Sequence, residues 1–201
     1  MQGNAWPMAN ALTAARVVLA VPFALLMARA DAWSAALAGL VLVVAIATDL
    51  LDGLLARRRN TATATGGVFD HTADCLFVTT GLVAGAFRGV FPWVLPILVA
   101  AAFTQYVADS YWGHRGRALS PSALVRSGLG RWNGILYFVP LGGDVLARLG
   151  LGALGPVVTV LAWALVASTV ISMGERAWAL SRAWRTARGS PAGGTEDRRR
   201  R

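Results

Sequence analysis

The stretch Asp49-x-x-Asp52-Gly53-x-x-Ala56-Arg57, followed eight residues later by Gly66-x-x-x-Asp70-x-x-x-Asp74, gathers four of the chain's ten acidic residues into 26 positions. These acids lie inside or against apolar runs, where ionisable groups are expensive and mark function. Asp49 and Asp52 are three residues apart and share a helical face; Asp70 and Asp74, four apart, do the same. The short connection between the pairs predicts antiparallel neighbouring helices, with both pairs converging one to two turns inside the membrane boundary. Four carboxylates that close cannot all stay ionised without cations. Oxygen donors unaccompanied by nitrogen or sulfur suit hard divalent ions, Mg²⁺ or Mn²⁺, rather than zinc. His71 follows Asp70 but stands about 100° further round the helix, which takes it off the acidic face.

The sequence on either side of this stretch reads as membrane protein. It is 56% hydrophobic and only 14% charged, where soluble domains carry about a quarter charged residues. Residues 32–48, 89–108 and 149–174 contain no charge at all, and about 20 apolar residues span a bilayer core. Six spans are expected, over residues 11–28, 33–56, 67–87, 91–111, 132–147 and 154–173, the fifth short and interrupted by Gly142, Gly143 and Asp144. The segment before the first span lacks a positive n-region, so that span reads as a retained helix. The expected fold is therefore all-α: a polytopic six-helix membrane bundle over residues 1–188, followed by a disordered basic tail, 189–201.

The net charge of +9 comes with 19 basic residues, every one an arginine, set between the apolar runs or in the tail. With both termini in the cytoplasm, 16 of the arginines fall on the cytoplasmic side, Arg16 among them, and only Arg29, Arg88 and Arg148 fall opposite. The Arg198–Arg201 run suits contact with anionic lipid. With no groove-reading element in the chain, nucleic acid is not an expected partner. Cys75 is the only cysteine, which excludes an internal disulfide. Gly81 and Gly85 form a Gly-x-x-x-Gly pair that permits close helix approach; local packing is the default reading and a homodimer the alternative.

Around the acids, Gly53, Ala56 and Gly66 leave room for a bulky ligand to approach the backbone, and Arg57 can hydrogen-bond phosphate oxygens. Carboxylates, divalent ions, an arginine and small-residue openings together describe a diphosphate site. The eight fixed positions resemble the full signature of the CDP-alcohol phosphatidyltransferase family, and Asn10-x-x-Thr13-x-x-Arg16 with Pro22 is also similar to members of it. The resemblance implies two metal ions held by Asp49, Asp52, Asp70 and Asp74, with Asp74 the general base. It implies a CDP pocket lined by Asp49, Gly53, Ala56, Arg57 and Gly66. It also implies an inner-membrane enzyme that moves a phosphoalcohol from CDP-diacylglycerol or another CDP-alcohol to a small alcohol, releasing CMP.

For the acceptor, Arg126 and Arg131 are the expected phosphate ligands, being on the active side. The segment Ser127-x-x-Gly130-Arg131-x-Asn133 resembles the Ser-x-x-Gly-Lys-x-Lys segment of phosphatidylglycerophosphate synthases. It departs from that segment at Asn133, and the chain departs again at Cys75, where that subfamily usually has lysine. Glycerol 3-phosphate is the favoured acceptor, with inositol phosphate or another polyol as alternatives. A small transporter would also bury acids, but it is expected to place them near the midplane and to show an internal repeat, which this sequence lacks. An inactive scaffold is the third reading, against which all four aspartates stand intact.

Overall fold

A computed structural model of the chain describes the backbone of residues 6–59, 64–115 and 128–189, with side chains over residues 14–50, 71–108 and 130–182 except Arg131, and at Arg185. Every element among the described residues is an α-helix: α1 (Trp6–Met27), α2 (Ala32–Arg59), α3 (Ala64–Phe87), α4 (Val94–Arg115), α5 (Gly128–Leu136), α6 (Phe138–Arg148) and α7 (Leu154–Gly189).

Helix boundaries follow local chemistry. The Asp31 carboxylate accepts the Ser34 N–H at 2.8 Å and so caps α2. That same bond holds the carboxyl below its usual range, because the N–H favours the charged form. After α3 the chain reverses at Gly89, whose φ of 76° suits glycine. The Gly89 N–H donates to the Ala86 carbonyl (2.9 Å) and the Val90 N–H to the Gly85 carbonyl (3.0 Å), a Schellman closure. Gly150, at φ 117°, closes α6 in the same way.

The expected fifth span is helical but divided, because α5 and α6 meet at Tyr137. Pro140 has no N–H to offer the Leu136 carbonyl, so the ladder breaks one turn before it. The last helix runs on to Gly189, well past the expected end at residue 173.

Neighbouring helices pack in a closed order, α1–α2–α6–α7–α4–α3 and back to α1, with α5 against α6 and α7. At the centre Phe23 stacks on Phe77 with ring centroids 4.4 Å apart, and Leu82, Leu95 and Leu141 are fully buried around them. Gly81 serves this packing: a Cβ there would meet Phe23 Cε1 at 2.5 Å and Leu141 Cδ2 at 3.1 Å. The Phe91 ring fills the corresponding space at Gly85. The small-residue pair thus works inside the protomer. Gly81→Leu is expected to destabilise the protein by about 1–3 kcal/mol through overpacking, read as a fall in the detergent melting temperature; an unchanged value would contradict this packing role.

The outer surface is apolar. Val18, Val21, Leu25, Leu40, Val43, Val160 and Val170 all face outward. Residues Ala32–Leu50 and Leu154–Arg182 are long and apolar enough to cross a bilayer, yet only 28% and 22% of those windows are buried. A core helix of a water-soluble protein would be mostly buried, and such an extended apolar exterior is not what water-soluble monomers present. Two charged side chains, Arg16 and Asp144, are buried inside. Such an exterior is compatible with a membrane protein.

Candidate functional site

Arg16, on α1, is 1% exposed and reaches two other helices. Its Nη1 donates to Asp74 Oδ1 on α3 at 2.5 Å, and its Nη2 lies 3.3 Å from Asp49 Oδ1 on α2. The expected convergence of acids from the second and third helices is therefore observed for Asp49 and Asp74. Arg16 itself is more than a charge that sets topology, because its guanidinium lies between them. Buried charges are tolerated when they are paired: Arg16 Nη1 hydrogen-bonds Asp74, and Nη2 faces Asp49 as an ion pair.

Asp49 and Asp74 remain partly open, at 42% and 23% side-chain exposure, toward a cavity of about 430 Å³. The cavity runs between α2, α3, α4, α5 and α7. Ile46, Leu50, Val78, Val99 and Phe103 form its apolar lining, while Asp74, Gln105, Asn133, Ser172 and Arg176 bring polar groups to it. A greasy cavity with a few convergent polar groups is the usual form of a small-molecule site. His71 lines this cavity as well, packed against Phe103 and Tyr106 with centroids 5.5 and 5.0 Å away. The helical wheel turned it off the acidic face, but α4 brings its aromatic rings to meet it there.

Arg176 is the cation that the described residues set into the cavity wall. Its guanidinium lies 5.5 Å from the centre of the Tyr106 ring, a cation–π contact. It also presses on Gly130, where a Cβ would meet Arg176 Nη2 at 2.6 Å and Ser172 Oγ at 3.1 Å. The glycine of the Ser127–Asn133 segment thus makes room for an arginine from α7. Arg131 lies on α5, but its side chain is outside the described residues, and Arg126 is wholly outside them.

The two departures from the subfamily pattern, Asn133 in that segment and Cys75 on α3, face the same space. Asn133 is 3% exposed, and its Oδ1 accepts the Ser168 hydroxyl at 2.7 Å. Cys75 lies 3.7 Å from the Thr79 hydroxyl. Tyr137 and Thr169 share a buried hydroxyl–hydroxyl bond of 2.7 Å. Both departures leave neutral polar groups at a wall where lysines would have added charge.

Asp52, Gly53, Ala56 and Arg57 continue α2 beyond Asp49, and Gly66 and Asp70 precede Asp74 on α3, but their side chains lie outside the described residues. Along the backbone Asp52 follows one turn after Asp49, and Asp70 comes one turn before Asp74. Among the described residues no group of three or more acidic, histidine or cysteine side chains gathers. The donor set nonetheless fits a hard cation. Two carboxylates from different helices already share one positive group at the cavity wall, and Asp49 keeps an open side.

Residues 6–171 match the sequence model of the CDP-alcohol phosphatidyltransferase family. A CDP-diacylglycerol–glycerol-3-phosphate 3-phosphatidyltransferase of Pseudomonas fluorescens is 43% identical over 74 residues, 37% of this chain and 38% of that protein. The protein of the same description from Escherichia coli K12 is 40% identical over 72 residues, 36% of this chain and 40% of that one. The chain thus aligns with about two fifths of the length of these relatives. The family match takes in α1 through the first half of α7, including Arg16, Asp49 and Asp74, and on that extent this chain belongs to the CDP-alcohol phosphatidyltransferase family.

Proposed function

We propose that the protein transfers a phosphatidyl group from CDP-diacylglycerol, or a related CDP-alcohol, to a small polyol, with glycerol 3-phosphate the first choice. One observation carries this reading: acids of two helices meet at the wall of an apolar cavity whose lining also holds an arginine, Arg176. The acids suit a cation-bound diphosphate, the arginine suits an acceptor phosphate, and the apolar lining suits a lipid donor. The two relatives just described carry glycerol 3-phosphate in their names, which agrees with that choice.

In this reading residues 1–188 form the membrane domain, with six crossings made by α1, α2, α3, α4, α5 with α6, and α7. The distribution of arginines supports cytoplasmic termini and an active site facing the cytoplasm at the inner membrane. Asp49, Asp52, Asp70 and Asp74 would hold two ions, Mg²⁺ or Mn²⁺, and Gly53, Ala56, Arg57 and Gly66 would border the CDP. Bound ions supply charge neutralisation at the phosphoryl oxygens and at the departing CMP. Asp74 accepts the proton of the acceptor hydroxyl as that oxygen bonds to the lipid-bearing phosphorus and the P–O bond to CMP breaks. Arg16 holds Asp74 in place, and the apolar walls keep water from competing as acceptor.

Arg176→Ala is expected to raise the KM for glycerol 3-phosphate by about 10- to 100-fold, the worth of a charge-assisted hydrogen bond, and to spare the KM for the lipid donor. Initial rates over a range of acceptor concentrations check this, and an unchanged acceptor KM would remove Arg176 from the role. The function is tested by offering labelled CDP-diacylglycerol to the purified protein with glycerol 3-phosphate, inositol phosphate and serine in turn, then identifying the lipid formed. Phosphatidylglycerophosphate as the main product is expected, and a different lipid would replace the acceptor assignment.

A further inference from the structure

Arg16 is buried, yet it carries no apolar role and lies on a helix that contributes none of the four aspartates. Its guanidinium bonds Asp74 Oδ1 at 2.5 Å and lies 3.3 Å from Asp49 Oδ1. Asp49 and Asp74 are two of the four aspartates that would hold the divalent ions in the proposed reading. We infer that Arg16 is a resident counter-cation: it holds the acidic cluster assembled when no divalent ion is bound, and it competes with the ion for the same carboxylate oxygens. The inference rests on the proposed metal-dependent reading and adds to it a residue outside the eight-position signature.

Without a nearby positive charge, carboxylates from α2 and α3 repel one another at low effective dielectric and push the helices apart. One buried guanidinium offsets that repulsion and ties α1 to both helices. When a divalent ion arrives, the same positive charge stands a few ångströms from the incoming one, and two cations sharing oxygens weaken each other's hold. Arg16 is thus a positioning residue that trades ion affinity for a preassembled site. The trade is a negative coupling between arginine and metal, which must appear equally from either side.

The test follows thermal unfolding of the detergent-purified full chain as MgCl₂, and separately MnCl₂, is titrated after EDTA treatment. Relative to the native protein, Arg16→Gln is expected to melt lower in EDTA. It is also expected to reach half-maximal stabilisation at Mg²⁺ concentrations lower by about tenfold or more, since a unit charge about 4 Å from a divalent ion is worth about 2 kcal/mol even at the dielectric of water. Arg16→Lys keeps the charge and is expected to restore both values toward native. A half-saturating concentration for Arg16→Gln that is equal to or above native would overturn the inference, since a merely structural strut would lower stability without tightening the ion. If Arg16→Gln folds only with Mg²⁺ present, the inference is supported; if saturating Mg²⁺ does not rescue it while Arg16→Lys folds, the inference fails. A native protein that gains no stability from either ion would instead contradict the underlying metal-dependent reading.

Discussion

Asp74→Asn is expected to lower turnover by about 10²–10⁴-fold and to leave the protein folded, the size of the loss when a positioned general base is removed, the role proposed for Asp74. The amide matches the carboxylate in shape, and its oxygen can still accept the Arg16 bond now made by Asp74 Oδ1. What it cannot do is take the acceptor's proton. Its removal also takes one negative charge from the expected ion site, so the variant is assayed at saturating Mg²⁺ as well as at low Mg²⁺. Initial rates of CMP release beside melting temperatures provide the check. Near-native turnover would show that another group takes the proton.

The second large effect lies away from the cavity. Asp144 on α6 is 4% exposed and sits between Arg88, at the end of α3, and Arg148, whose Nη2 is 3.2 Å from Asp144 Oδ2. Arg148 in turn donates to the Arg29 carbonyl at 2.8 Å and the Leu26 carbonyl at 3.3 Å, closing the end of α1. One carboxylate thus joins α6 to α3, and through Arg148 to α1. Asp144→Leu leaves two arginines, 12% and 7% exposed, facing each other without it. Breaking a buried ion cluster by removing one partner typically costs about 3–5 kcal/mol. The expected result is a large fall in melting temperature, partly recovered in the Asp144→Leu/Arg88→Leu double variant, because the two changes are coupled. Asp144 does not line the cavity, so the surviving folded fraction should turn over at near-native rates. A single variant as stable as native would show that the cluster contributes nothing.

Both results bear on what sequence alone could reveal. The approach of Asp49 and Asp74 was legible because the connection between their helices is short, which keeps the end of α2 near the start of α3. The all-helical architecture was legible because charge-free runs as long as residues 149–174 leave few alternatives. What escaped were pairings across distant parts of the chain. Arg16 read as a topology-setting charge, and only the packing of α1 against α2 and α3 reveals it as the partner of Asp49 and Asp74, 58 residues away in the second case. Asp144 read as an interruption of the fifth span, since nothing local announces Arg88, 56 residues earlier, as its partner. His71 turned away from the acids on the helical wheel, yet it lines the cavity because α4 supplies Phe103 and Tyr106 around it. Arg126 and Arg131, the expected acceptor ligands, have side chains outside the described residues; the cavity wall that is described holds Arg176 from α7, with space left for it at Gly130. The Gly130 signal was in the sequence, but its partner was not.

The reading stands on cation-dependent chemistry at acids drawn from two helices, and stoichiometric CMP release measures it most directly. Purified protein supplied with CDP-diacylglycerol, glycerol 3-phosphate and Mg²⁺ is expected to form CMP and a new phospholipid in equal amounts. Formation should stop when EDTA is added and resume when Mg²⁺ is restored. Folded protein that releases no CMP with any polyol acceptor, or releases it undiminished in EDTA, would contradict the account.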